Sequence, residues 1–131
     1  MTPVVLDASA GVELLLHSAA GRRVGTVVDG STIWVPEHFY VEVEAAIRRL
    51  ELRGVVTPTR AIATVDRLLA LPTRRASVRT TLASEAWALR HNLTIGDALY
   101  VVMARHLNAR LITLDVRLAN APTLGVTTRV P

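Results

Sequence analysis

Four carboxylates in this chain stand where they could do chemistry together. Asp7 ends the apolar run PVVL at 3–6, Asp115 ends RLITL at 110–114, and Asp97 opens a helical stretch just after Thr94. Each has a plain structural alternative. An aspartate ahead of a helix satisfies free backbone N–H groups, so Asp7 can cap a helix beginning at Ser9 and Asp115 a turn over 116–120. Asp97 falls in a first turn, where the macrodipole favours negative charge, and Thr94 is the better placed cap. Singly, capping accounts for each; together, they would collect charge at one place. A fourth acid comes from the long amphipathic segment 36–53, whose apolar stripe Phe39, Val43, Ala46, Ile47 and Leu50 is flanked by both Glu42 and Glu44. Periodicity does not choose between them. Glu44 has Arg48 at i+4, the favourable order for an exposed ion pair, whereas i+4 from Glu42 is Ala46, which makes Glu42 the expected inward carboxylate.

Four carboxylates converging with no Lys or Arg between them repel one another, and a divalent cation relieves this. Oxygen-only donors select hard ions, so Mg²⁺, or Mn²⁺, is the expected cofactor. The four histidines (His17, His38, His91, His106) show no HExxH-like spacing, which argues against zinc.

The elements that must position these acids alternate between strand and helix. Strands are expected at 3–6, 32–35, 74–79, 110–114 and 125–130. Helices are expected at 9–16, loosely from there to 28, then at 36–53 (Pro36 opening it and Gly54 ending it), 58–71, 81–91 and 96–107, with a turn over 116–120. This order predicts an α/β fold: a central, mostly parallel sheet of about four to five strands flanked by helices in three layers. Such sheets bind ligands at the carboxyl ends of their strands, where strand order reverses. Asp7 and Asp115 would both stand on that edge.

Length and composition narrow the classes. A chain of 131 residues without repeats or a Pro/Gly/Ser linker is expected to form one domain, 1–131. No apolar run is long enough to span a bilayer and no signal-type segment opens the chain, so a soluble cytoplasmic protein with no membrane association is expected. The absence of cysteine removes disulfides, thiolate zinc sites and Cys nucleophiles together. All fifteen basic residues are Arg and the net charge is +4. Without Lys there is no Walker-type phosphate loop, and no GxGxxG or GxSxG stretch occurs. An arginine-only basic balance suits a polyanionic partner, and equally a GC-rich coding bias.

The segments VVLDASA (4–10), PEHFYVEVEAAIRRL (36–50), TIGDALYVVMAR (94–105) and LITLD (111–115) resemble, in order and spacing, the motifs of PIN-domain ribonucleases, above all the small VapC-type toxins of bacterial toxin–antitoxin pairs. The resemblance covers essentially the whole chain, with no matching motif in 17–31 or 54–80. It implies that Asp7, Glu42, Asp97 and Asp115 are the catalytic metal ligands, and that Ser9 and Thr113 orient carboxylates or water behind them. Tyr100 matches a family position but reads more simply as core, and Gly96 stands where relatives commonly carry a larger residue.

What the resemblance implies functionally is Mg²⁺-dependent endonucleolytic hydrolysis of RNA, leaving 5′-phosphate and 3′-hydroxyl ends, by the toxin of a toxin–antitoxin pair. A homodimer inhibited by a cognate antitoxin is implied with it. Arg22, Arg23, Arg48, Arg49, Arg74, Arg75 and Arg79 are candidates for tracking RNA phosphates, though paired arginines also serve simply as a solvated face. Aromatics are only 4% of the chain and sit mostly in core-like positions, so no base-stacking platform is evident. Val12, Leu15 and Leu16 read as core rather than interface. Two other readings stay open: a DNA-directed nuclease or phosphatase using the same acids, and a degenerate PIN module that binds RNA or a protein without cutting.

Overall fold

The computed structural model describes residues 1–76, 81–121 and 128–131. Strand β1 (Pro3–Leu6) lies at the centre of a five-stranded, all-parallel sheet in the order β3-β2-β1-β4-β5, with β2 at Thr32–Pro36, β3 at Arg74–Ala76, β4 at Arg110–Ile112 and β5 at Thr128–Arg129. Val4, Val5 and Leu6 are all fully buried. Side chains alternate between faces along a strand, so this run requires helices on both sides of the sheet. The chain leaves β1 toward β2 on one side and reaches β4 on the other, which places the reversal of strand order between β1 and β4. Ligands of open α/β sheets bind at the carboxyl ends of two such strands.

One helical cluster consists of α1 (Ala8–Leu16), α2 (Ala19–Val28), α3 (Phe39–Leu52) and α4 (Pro58–Ala70), with α1 against the other three. Val12, Leu15 and Leu16 are buried in it, as the sequence implies. The stretch read as loosely helical is a regular helix, capped by the Ser18 hydroxyl accepting from Gly21 N–H at 3.0 Å. A Cβ at residue 21 would fall 1.8 Å from the Glu13 carbonyl oxygen, so only glycine permits this approach of α2 to α1. Across the sheet, α6 (Ile95–Leu107) packs on β1, β2 and β4, with α5 (Thr81–Ala88) beside it. No helix among the described residues is long and apolar enough to cross a membrane.

Several boundaries depart from the sequence reading by a residue or more, and four of them have a visible local cause. Helix α3 begins at Phe39, not Pro36. Pro36 is the last residue of β2; it lies past the final pairing with β1 at Trp34 and pairs only with Ala76, so its missing N–H breaks no bond to β1. Helix α5 ends at Ala88 instead of 91, because Leu89 and Arg90 bond back to Ala86 and Trp87 in tighter i→i−3 fashion. Helix α6 starts at Ile95 on a Thr94 cap, as expected of Thr94. Strand β4 stops at Ile112, two residues early, for a reason that belongs to the site. Of the strands read at 74–79 and 125–130, residues 77–79, Arg79 among them, and 125–127 lie outside the described residues, and Val130 falls just past the end of β5.

Candidate active site

Asp7 is the residue after β1, its amide bonded to the Ile112 carbonyl at 3.1 Å. It is 3% exposed, and three donors hold its carboxylate. Ser9 Oγ and Ala10 N–H donate to Oδ1 at 2.7 and 3.0 Å, and Thr113 Oγ1 donates to Oδ2 at 2.6 Å. The two hydroxyls accept backbone N–H groups in return: Leu114 to Ser9 Oγ at 3.0 Å and Asp115 to Thr113 Oγ1 at 2.9 Å. With both hydroxyl hydrogens spent on Asp7, the 3.2 Å contact between Ser9 Oγ and Thr113 Oγ1 carries none. This exchange is why β4 ends early. Side chains capture the amides of residues 114 and 115 that a longer ladder would use, and the chain turns away.

Asp115 therefore does not end the strand, as the sequence suggested; it lies three residues beyond it and caps the short helix α7 (Val116–Ala119), accepting from Leu118 N–H at 3.3 Å. Thr113 occupies the position beside Asp7. Burial pushes the Asp7 carboxyl above its usual range, opposed by the hydrogen bonds from Thr113, Ala10 and Ser9, while the charge on Asp97 raises it further.

Glu42 is reached from α3. The expectation that it lacks a partner is corrected here: His38, one turn earlier, places Nε2 3.1 Å from Glu42 Oε1, and the Tyr100 hydroxyl donates to the same oxygen at 2.7 Å. The same Nε2 lies 3.0 Å from the Gly96 carbonyl. Both neighbours are acceptors, so Nε2 carries the ring hydrogen and shares it between them. His38 Nδ1 is buried without a hydrogen-bond partner, and the ring stacks at a tilt on Tyr100, centroids 4.8 Å apart. A Cβ at residue 96 would stand 3.4 Å from Glu42 Oε2 and 3.6 Å from His38 Nε2, ordinary contact distances, so Gly96 lies directly against this pair. Burial pushes Glu42 up, but hydrogen bonds from His38 and Tyr100 and positive charge including that of Arg49 bring it below its usual value. Tyr100 is raised by burial and by the Glu42 carboxylate it donates to. It is buried, as its core reading implied, yet its hydroxyl serves the site. The Glu44–Arg48 ion pair used to set Glu44 aside is not among the ion pairs of the described residues.

Asp97 and Asp115 are joined by a residue the sequence reading missed. Arg117 Nη2 donates to Asp97 Oδ2 at 3.0 Å and to Asp115 Oδ2 at 3.1 Å. The premise that no basic side chain lies between the acids is thus wrong. Arg117 stands two residues from Asp115, a proximity visible in the sequence, though its reach to Asp97 depends on how α6 and α7 meet.

The four acids therefore share one sheet edge and are linked in a chain. Asp97 acts electrostatically on Asp7, Tyr100 responds to Glu42, Asp7 and Asp97, and Arg117 ties Asp97 to Asp115. As placed, no three Asp, Glu or His side chains among the described residues come close enough to hold one ion. The donor chemistry nonetheless fits a hard divalent cation: every donor is a carboxylate oxygen, and mutual repulsion is already felt between Asp7 and Asp97.

The arginine candidates do not form one surface. Arg49 faces a groove beside Ser9, Arg48 a separate groove between α3 and α4, and Arg74 and Arg75 sit on β3 against the rings of Trp34 and Tyr40. Trp87, contrary to a core-like reading, is exposed beneath Arg90.

The PIN-domain family model matches residues 4–124. The chain is 40% identical over 118 residues to Ribonuclease VapC12 of Mycobacterium tuberculosis, covering 90% of this chain and 91% of that one. It is 35% identical over 119 residues to Ribonuclease VapC3 of the same organism, covering 90% and 86%. A crystal structure of VapBC2 from Rickettsia felis, bound to a DNA fragment from their promoter, shares the fold with a TM-score of 0.69, 13% identity and 97% coverage of both chains. With the family match spanning nearly the whole sheet and all four acids, this chain belongs to the PIN-domain family.

Proposed function

We propose that this protein is an Mg²⁺-dependent endoribonuclease, the toxin of a toxin–antitoxin pair. The observation that carries the reading is Asp7, a buried carboxylate oriented by Ser9 and Thr113 at the reversal of strand order, with Asp97 close enough to perturb it. The relatives' names, ribonucleases of the VapC kind, support RNA as substrate, and the VapBC2 neighbour supports an antitoxin partner.

Asp7 and Asp97 would hold the ion, Mg²⁺ or Mn²⁺, with Glu42 and Asp115 as ligands directly or through water. Bound there, such a cation lowers the pKa of a coordinated water and offsets charge developing on the scissile phosphate. The chain's own groups do the positioning. Ser9 and Thr113 fix the plane of the Asp7 carboxylate, while His38 and Tyr100 fix Glu42. Arg117 neutralises Asp97 and Asp115, and a cation held by these acids would compete with its guanidinium for them. A homodimer acting in the cytoplasm accompanies this reading.

The test is cleavage of RNA by pure protein in Mg²⁺, in EDTA, and with Asp7→Asn or Asp97→Asn. Cleavage dependent on the metal and on both acids is expected; activity persisting in EDTA or in both variants overturns it. The bridge made by Arg117 gives weight to one second reading, a PIN module that binds without cutting. Toxicity on expression that survives Asp7→Asn would favour that one.

A further inference from the structure

The structure gives several of the arginines a direct partner. Arg60 and Arg67 donate to the Leu16 and Leu15 carbonyls at 2.9 and 2.7 Å and pin α4 to the end of α1. Arg117 is held by two aspartates, and Arg74, Arg75 and Arg90 lie over aromatic rings. Arg48 shares its groove with the carboxylates of Glu44, Glu51 and Asp66. Arg49 and Arg53, like Arg48 and Arg110, have no direct partner among the described residues, but these two share a groove that reaches the site. Both are exposed on α3, and neither guanidinium has a hydrogen-bond, ion-pair or ring partner among the described residues. They stand four apart, so two like charges face each other over about 6 Å of helix, an arrangement that costs a little helix stability.

These two side chains line an open groove of about 770 Å³ between α1, α2 and α3. Its inner end is Ser9 and Leu114, the residues that hold Asp7 and precede Asp115; Arg23 adds a third positive charge, and Glu13 is the groove's one carboxylate. Arg49 also acts electrostatically on Glu42, and Ser9, which lines the groove, donates to the Asp7 carboxylate, so groove and acids adjoin. Acids that gather a cation at one end and unpaired guanidiniums along the other form a path for a polyanionic strand. The cation neutralises the reacting phosphate, and arginines one helical turn apart meet the phosphates that follow.

We propose that Arg49 and Arg53 form a phosphate-tracking subsite that receives the RNA strand just beyond the scissile phosphate and sets its direction through the site. The proposal rests on the ribonuclease reading for its substrate, but its test is separable from catalysis. Binding of a fluorescent single-stranded RNA is measured by anisotropy in EDTA with Asp7→Asn protein, alone and carrying Arg49→Gln, Arg53→Gln or both. Arg110→Gln, at the opposite end of the sheet, controls for net charge. The double variant should bind roughly tenfold or more weakly at low salt, and the slope of log affinity against log salt should fall by about 0.7 per arginine removed. In the active protein the same substitutions should raise KM and leave kcat largely unchanged.

Equal losses from Arg110→Gln, or an unaltered salt slope in the double variant, overturn the subsite. So does a double variant that keeps RNA affinity but loses binding of a cognate antitoxin, since the groove would then read a protein. If wild type proves unable to cut RNA while binding still depends on Arg49 and Arg53, the subsite stands and the catalytic reading falls.

Discussion

Thr113→Val is the sharpest probe of how Asp7 is held. The substitution keeps the shape of a fully buried side chain and deletes one hydroxyl. That hydroxyl donates to Asp7 Oδ2 and accepts from Asp115 N–H, so two groups lose a partner at once. A hydrogen bond to a charged group contributes about 1.5–3 kcal/mol and a stranded buried polar group costs about 1–3 kcal/mol. Asp115 N–H is only partly buried and recovers part of its loss from water, which places the total near 3 kcal/mol. For a domain of this size that is a fall of roughly 10 °C in melting temperature, measured in EDTA so that no ion compensates. Thr113→Ser keeps the hydroxyl and should recover most of it. The pH dependence has a definite sign. Burial already raises Asp7 in the folded state, and losing Thr113 raises it further, so the folded variant holds the Asp7 proton more tightly than the unfolded chain does. Its cost should therefore be smallest at acid pH, below the unfolded value, and grow as pH rises through the folded one. A shift under about 3 °C at neutral pH, a Ser variant as unstable as the Val variant, or a cost that shrinks as pH rises would refute the assignment of Thr113 as the main support of an ionised Asp7.

Two further expectations follow from the remaining contacts. His38→Ala removes the bridge from Glu42 to the Gly96 carbonyl and should weaken Mn²⁺ binding, followed by its paramagnetic signal, by about tenfold; His38→Gln, which retains an N–H donor, should recover part of this, and affinity unchanged in both variants would mean the bridge is only structural. Mg²⁺ should raise the melting temperature of wild type more than that of Asp97→Asn, while Arg117→Gln should reach its full shift at lower Mg²⁺ because no guanidinium competes for Asp97 and Asp115; equal shifts in wild type and Asp97→Asn would show that the acids do not share an ion.

The parts of the site legible in the sequence were those that local chemistry decides. An apolar β-branched run ending on an acid, a Thr three residues ahead of Asp97 and a Ser two after Asp7 are patterns within one turn of chain, and the structure places each at the sheet edge. What sequence could not reach depends on contacts between elements. His38 and Glu42 share a helical face, but that His38 also meets the Gly96 carbonyl follows from the packing of α6 against the end of β2. Arg117 looks like a surface charge until α7 is brought under Asp97. Strand β4 ends before its strand-type residues do, because the amides of Leu114 and Asp115 are taken by the Ser9 and Thr113 hydroxyls.

That capture also dissolves the choice between a capping and a catalytic role for Asp7. A carboxylate offers about four acceptor positions. Capping uses Oδ1, which takes Ala10 N–H and Ser9, and Thr113 takes one position on Oδ2. No second donor to Oδ2 is found among the described residues. Capping therefore orients the carboxylate without using all of its acceptor positions, and the local rule that explains an aspartate ahead of a helix is compatible with the ligand role proposed for Asp7. Asp115 repeats the pattern less completely: Oδ1 caps α7 and Oδ2 faces Arg117. In both acids Oδ1 takes the cap N–H while Oδ2 takes a side-chain donor, Thr113 for Asp7 and Arg117 for Asp115, so the same division of oxygens recurs although only one of the two acids directly follows its strand.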